Sequence, residues 1–252
     1  MEWTEEAIVL AAHPYGEKGL IVSLLTRTHG HHAGLARGGN TTRMRAVFQP
    51  GNQVHARWRG RLVEQLGTLS CELLRADAAS LLTDEKRLAC LTAACAMVEA
   101  TLPVRMPHPV VFMTLEALIR GLVEGWPGWA VAYVEWEMTL LAELGYGLDL
   151  RLPPQMAGHN DQPAYVSPRT GRVIAASGGE SGQNGLLRLP SFLVEKKGHA
   201  TPADIAAALC VTGHFLQSHL SIPLPAARTR LATRFGLAVG GNGRGGEVET
   251  RR

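Results

Sequence analysis

Eight cations crowd one acid-free stretch near the start of the chain. Positions 18–63 hold Lys18, Arg27, Arg37, Arg43, Arg45, Arg57, Arg59 and Arg61 and not one Asp or Glu. A local field of one sign on a small domain attracts polyanions. In the run Val54, His55, Ala56, Arg57, Trp58, Arg59, strand alternation puts Arg57 and Arg59 on one face and Val54, Ala56 and Trp58 on the other. Trp58 then reads as core rather than as a base-stacking platform. A basic groove remains, the usual means of holding single-stranded nucleic acid without sequence preference.

Other reactive residue types come out weaker. His29, His31 and His32 include a common metal ligand type, but 31 and 32 face opposite ways in a strand and no nearby Asp, Glu or Cys completes a site. They read as a solvated strand end carrying pH-dependent positive charge. Cys90 and Cys95, like His214 and His219, stand five apart on helical patterns and read as packing. Gly179-Glu180-Ser181-Gly182-Gln183 has Gln where a nucleophile elbow needs Gly, and no strand-to-helix context surrounds it. Gly241, Gly243 and Gly246 match the dinucleotide fingerprint letter by letter, yet only six residues follow, too few for the helix that fingerprint requires. Neither a Walker loop nor a His-Glu-x-x-His helix occurs, so no catalytic constellation emerges and no cofactor or metal is expected.

The elements that would position the cations follow from pattern. Among 252 residues, 46% are hydrophobic and 19% charged, an ordinary globular composition with ample core. Four cysteines, Cys71, Cys90, Cys95 and Cys210, fit free thiols in a reducing compartment. No signal-peptide pattern opens the chain and no apolar run reaches the roughly 18 residues that span a bilayer, so a cytoplasmic protein is expected. The net charge of +3 hides segregation: residues 1–75 carry nine Lys/Arg against six Asp/Glu, 76–150 four against ten, and 151–252 twelve against six.

About five short strands are expected over residues 1–76, the first around Ala7–Ala11, others near 19–26, 32–37, 53–58 and 62–74. Closing them into a small barrel removes exposed edges. The period then changes to 3.6, and an acidic amphipathic bundle is expected over 77–149. Ser80 is its first N-cap, and its helices run to Pro103, from Pro109 to about 124, and from Pro127 to Gly145. A loop-rich insertion over 150–185, with strand-like stretches at 164–166 and 173–174, precedes C-terminal helices over 186–237, one opened by Thr201-Pro202 and one by Pro225. A Gly/Arg tail over 238–252 is expected to be disordered. The fold class is thus α+β, a five-stranded barrel followed by a helical domain.

Taken in order, Ala7-Ile8-Val9-Leu10, Pro14-Tyr15-Gly16-Glu17, Leu25-Thr26, His29-Gly30, Ala36-Arg37-Gly38, Gln49-Pro50-Gly51 and Leu66-Gly67 resemble the N-terminal domain of the bacterial recombination mediator RecO family. Tyr165-Val166-Ser167-Pro168, Leu187-Arg188-Leu189-Pro190, Gly213-His214-Phe215 and Pro225-Ala226-Ala227-Arg228 extend the similarity over nearly the whole chain. The resemblance implies an OB-fold barrel (the oligonucleotide/oligosaccharide-binding fold) and a non-enzymatic DNA repair and recombination mediator. Such proteins bind single- and double-stranded DNA, anneal complementary strands, and help RecA displace the single-strand-binding protein at gaps together with RecR. Family DNA contacts would map onto Lys18, Arg27, Arg37, Arg43, Arg45, Arg57, Arg59 and Arg61. Arg228, Arg230 and Arg234 supply charge of the sign suited to an acidic partner tail, and the working place would be the nucleoid in the cytoplasm. Many relatives carry a four-cysteine zinc site in the insertion, where this chain has no cysteine, so zinc is not expected. The alternative is a protein-interaction scaffold whose barrel binds protein rather than DNA.

Overall fold

The computed structural model describes residues 1–62, 65–151, 164–175, 185–195, 200–220 and 223–237. β1 (Glu2–Tyr15), β2 (Gly19–Thr26), β3 (Gly30–Ala36), β4 (Gln53–Arg59) and β5 (Thr68–Arg75) close into a barrel in the order β1-β2-β3-β5-β4. β1 starts at Glu2, earlier than the apolar run at Ala7 implies, because it serves two neighbours. Residues 2–8 pair antiparallel with β4 and residues 7–15 with β2, with a register shift between Val9 and Ala11. A bulge of this kind bends a strand enough to turn the corner of a barrel. Closure is made where Leu35 of β3 meets Thr68 of β5 in parallel and accepts no more than a short seam: the Leu35 amide donates to the Gly67 carbonyl at 3.0 Å.

A short helix, α1 (Thr42–Val47), sits between β3 and β4 and is capped by the Thr41 side chain. None of its residues is fully buried and only Met44 and Val47 pack partly against the barrel core, too small an apolar face for periodicity to detect. Five strands in this order form the OB-fold. β5 begins at Thr68 and not at Leu62, since residues 65–67 lie against the barrel end, where the Leu66 carbonyl accepts from the Trp58 indole N–H. Gly67 has φ +66, and a Cβ there would lie 2.4 Å from the Trp58 ring; the turn can be laid on the ring only by glycine.

Alternation along β1 divides two cores. Ala7 and Val9 point into the barrel with Leu20, Val22, Leu24, Val54 and Trp58, while Ile8 and Leu10 point outward into the helical core. That second core is built from α2 (Asp77–Ser80), α3 (Glu85–Thr101), α4 (Pro109–Val123), α5 (Trp129–Glu143), α6 (Ser191–Glu195), α7 (Pro202–Leu220) and α8 (Ala226–Thr233). Ser80 ends α2 rather than capping the long helix; the Asp84 carboxylate caps α3 by accepting from the Lys86 and Arg87 amides at 3.1 Å. The expected amphipathic face of α3 is also revised. Cys90, Leu91, Ala93, Ala94, Cys95, Met97 and Val98 are all buried, because α3 lies between β1 and the other helices and meets apolar neighbours on nearly every side.

Between α5 and α6, β6 (Ala164–Val166), β7 (Val173–Ala175) and β8 (Leu187–Leu189) form a small antiparallel sheet in the order β7-β6-β8. β8 lies in a stretch too short for a period to show. α7 opens with a capping box, Thr201 Oγ1 accepting from the Asp204 amide (3.2 Å) and the Asp204 carboxylate from the Thr201 amide (3.1 Å). Most of the loop-rich insertion, the Gly179–Gln183 segment and the Gly/Arg tail fall outside the described residues. No described helix is long and apolar enough to cross a membrane.

Candidate nucleic-acid interface

Arg37 just beyond β3, Arg59 at the end of β4 and Arg61 in the β4–β5 connection converge on an open cleft of about 800 Å3, with Gln65, Gly67 and Thr68 on its wall. The strand register explains the convergence. Arg57 and Arg59 alternate with buried Trp58, whose indole N–H donates to the Leu66 carbonyl at 3.0 Å and pins the connection across the barrel end. Trp58 is 1% exposed and is core, as the alternation requires. In an OB-fold, the β4–β5 loop is one of the elements that contact oligonucleotide.

An acid also enters the cleft, from outside the acid-free stretch. Pairing of β1 with β4 sets Glu2 opposite Arg59, and its carboxylate accepts from the Arg57 Nε and from Arg59 Nη2 at 3.0 Å. Those hydrogen bonds, Arg57 first and Arg59 second, hold the Glu2 carboxyl below the usual carboxylate range. Among the described residues, three guanidiniums and one carboxylate line the cleft, a net positive lining. The other cations are spread more widely. Lys18 is exposed in the β1–β2 turn, where its carbonyl accepts from the Asn40 amide at 3.2 Å, and Arg43 and Arg45 are exposed on α1, with Arg45 Nε donating to Asn40 Oδ1 at 2.8 Å. Asn40 thereby ties two cation-bearing loops together. Arg27 sits apart, its guanidinium 5.4 Å from the centre of the Phe112 ring on α4, at the seam between barrel and helices.

The histidines are not a solvated strand end. His31 and His32 are buried, since the 102–108 segment joining α3 and α4 lies along β3: Val104 bridges to His31, and the His31 carbonyl accepts from the Arg105 amide at 2.7 Å. His31 Nδ1–H donates to the Leu102 carbonyl at 3.2 Å. His29 Nδ1 donates to Glu5 at 2.8 Å and its ring stacks on Trp3 at 4.6 Å. Burial, reinforced by nearby Arg105, His29 and His31, pushes the His32 imidazole down to about 4. It is a neutral ring at physiological pH, with no cation to offer.

In the helical domain, Arg228 is corrected from a surface residue to an interior one. It is 3% exposed, and it donates in a fork to Glu137 of α5 at 3.0 and 3.1 Å and also to Thr212 and the Leu209 carbonyl of α7. Its charge is used inside the fold. Arg230 is exposed, and Arg234 reaches Glu85 at 3.0 Å. Leu187, Leu209, Leu224, Ala232 and Leu237 line an apolar groove of about 470 Å3 between α7 and α8, with Arg228 and not Arg230 or Arg234 on its wall. A residue that periodicity does not reveal is buried Asn52, which donates to the Ala46 and Val47 carbonyls and accepts from the Ala78 amide, joining α1 to α2. Among the described residues, no three His, Cys, Asp or Glu side chains gather as a metal site would require.

Known proteins match this arrangement in both halves. The family described as "Recombination protein O N terminal" matches residues 1–76, and "Recombination protein O C terminal" matches residues 82–228. The DNA repair protein RecO of Rhodospirillum centenum is 51% identical over 240 residues, covering 93% of this chain and 95% of the relative. That of Rhodospirillum rubrum is 45% identical over 250 residues, covering 93% and 96%, and that of Gluconacetobacter diazotrophicus 44% over 242 residues, covering 92% and 94%. With a barrel of OB order, a basic cleft at its β4–β5 loop and relatives of this identity over nearly their full length, the chain belongs to the RecO family of DNA repair and recombination proteins.

Proposed function

We propose that this protein is a non-enzymatic recombination mediator that holds single- and double-stranded DNA on the barrel, anneals complementary strands and, with RecR, helps RecA onto gaps covered by the single-strand-binding protein. The observation that carries the reading is the cleft itself. Among the described residues, Arg37, Arg59 and Arg61 face one open cleft beside the Glu2 carboxylate, and an open basic cleft suits a continuous polyanion better than a small enclosed substrate. Lys18, Arg43, Arg45 and Arg57 extend the positive surface along the neighbouring loops and strand, while Arg27 contributes mainly to the seam with α4. Two strands held on such surfaces lose much of their mutual repulsion, the physical basis for annealing.

The helical domain supplies the protein contacts in this account. Its apolar groove between α7 and α8, in the part of the chain that carries twelve Lys/Arg against six Asp/Glu, suits a short apolar segment bearing acid, the character of the single-strand-binding protein's tail; Arg230 and Arg234 lie outside the groove's lining. The nucleoid in the cytoplasm is the corresponding place of work. An annealing assay on complementary strands precoated with single-strand-binding protein tests the proposal. Acceleration of duplex formation is expected, with strand lengths unchanged in the presence of divalent metal. No acceleration contradicts the mediator reading, and shortened or modified strands contradict the non-enzymatic one.

A further inference from the structure

Next to the cleft lies a second pocket of about 330 Å3, and Met1 and Glu2 line both. Its walls are Trp3, His29, His32, Trp58 and Arg105. We propose that this pocket receives a single unstacked nucleobase from the strand whose phosphates lie in the cleft. The inference rests on the cleft's reading as a DNA site and adds to it a base-recognition subsite on the barrel.

Ring geometry is the first argument. Trp3 lies nearly parallel to His29 at 4.6 Å and 13°, and nearly parallel to Trp58 at 6.2 Å and 12°. His32 stands edge-on to both tryptophans, at 5.2 and 4.8 Å. Trp58 and Trp3 back the ladder from the barrel side, and its outer ring, His29, keeps 38% of its side chain exposed, a flat face at the end of a basic cleft on which an unpaired base can stack. The second argument is polar. Trp3 Nε1, His32 Nδ1 and His32 Nε2 are all sealed from solvent without a hydrogen-bond partner, and buried ring nitrogens are ordinarily paired. Neutral His32 offers one N–H donor and one lone pair, and Trp3 adds a donor; that is the complement of the mixed donor and acceptor edge of a base.

The third argument is the rim. Arg105 has φ +62, the sole non-glycine with positive φ among the described residues, and backbone held in a sparsely populated region is often found at ligand sites. Its guanidinium donates to the Gln65 carbonyl at 3.5 Å, tying this rim to the wall of the cleft. Met1, 70% exposed and with its amine fixed to the Gly60 carbonyl at 2.7 Å, lines both the pocket and the cleft. The volume sits at the low end of the roughly 300–1,000 Å3 typical of ligand pockets, suited to one base and not to a stacked run.

The experiment compares two single strands of equal length and phosphate number, oligo-dT and a fully abasic strand, by fluorescence anisotropy at fixed salt. Binding of oligo-dT about 5- to 150-fold more tightly is expected, the effect of stacking one base. Trp3→Leu should reduce the difference to about twofold or less, as should His29→Ala, a more exposed position that leaves the barrel core intact, while Trp3→Phe keeps most of it. Equal affinity of the two strands for the unaltered protein overturns the inference, and so does a dT preference that survives both Trp3→Leu and His29→Ala. Failure of the cleft reading looks different: neither strand then binds at low salt, and the base subsite falls with it.

Discussion

At the mouth of the cleft the Glu2 carboxylate accepts from Arg57 and Arg59, which keeps it ionised and removes part of the field those arginines would otherwise project. Alternation made their shared face legible from Val54 to Arg59, but Glu2 lies more than fifty positions away and enters only through the β1–β4 register. A local count of charge cannot see a cross-strand partner. Glu2→Gln should therefore tighten single-stranded DNA binding, about 2- to 10-fold at low salt and less at high salt; unchanged or weaker binding by anisotropy contradicts this. His32 makes a second residue-scale prediction. In the fold it takes up a proton only near pH 4, whereas in the unfolded chain it does so near 6.5. Between those values the unfolded state binds more protons, so stability falls as the pH drops from 6.5 towards 4. Urea titrations across that window should show the slope flattened in His32→Phe, and an identical slope in both proteins rules out the assignment. Sequence alone placed His32 at a solvated strand end, because the segment that buries it, 102–108, follows a helix some seventy residues later.

Among the elements, α5, α7 and α8 are locked by one buried ion pair. Glu137 accepts from Arg228 twice and from the Tyr133 and Thr212 hydroxyls. Breaking such a pair leaves a buried charge uncompensated, at about 3–5 kcal/mol. Arg228→Leu should lose stability of that order in chemical denaturation, with much of it restored in the Glu137→Leu, Arg228→Leu double variant. A loss below about 1 kcal/mol in the single variant contradicts the role. The helices themselves were largely legible: Pro109, Gly145, Thr201-Pro202 and Pro225 mark ends that the structure keeps within a residue or two. What escaped has physical causes. α1 has no fully buried residue and sets only Met44 and Val47 partly against the barrel core, α3 is buried almost all round, and an arginine on a helix looks the same in sequence whether it faces water or a carboxylate.

Across the whole molecule, Ile8, Leu10 and Leu25 of the barrel belong to the helical core, so barrel and helices share an interior. One cooperative transition is expected, with tryptophan fluorescence and far-UV circular dichroism coincident in urea; two separated transitions would show that the seam is weak. The segregation of charge, basic at both ends and acidic between, was readable from the chain, and in the fold it becomes a basic barrel beside a helical domain in which α3 and α4 are each balanced and the excess acid lies on α5 and in helix caps and connections. The shared interior was not readable, since outward apolar residues on β1 look like any fully buried strand until the helices that cover them are placed. The central claim, that the barrel cleft grips the phosphate backbone, is met most directly by titrating labelled single-stranded DNA across a salt series with the unaltered protein and with Arg37→Ala, Arg59→Ala, Arg61→Ala combined. At about 0.7 per phosphate contact on a single strand, the slope of log K against log salt should become shallower by about 2, with much weaker binding at low salt. The same affinity and the same slope in both proteins would contradict the account.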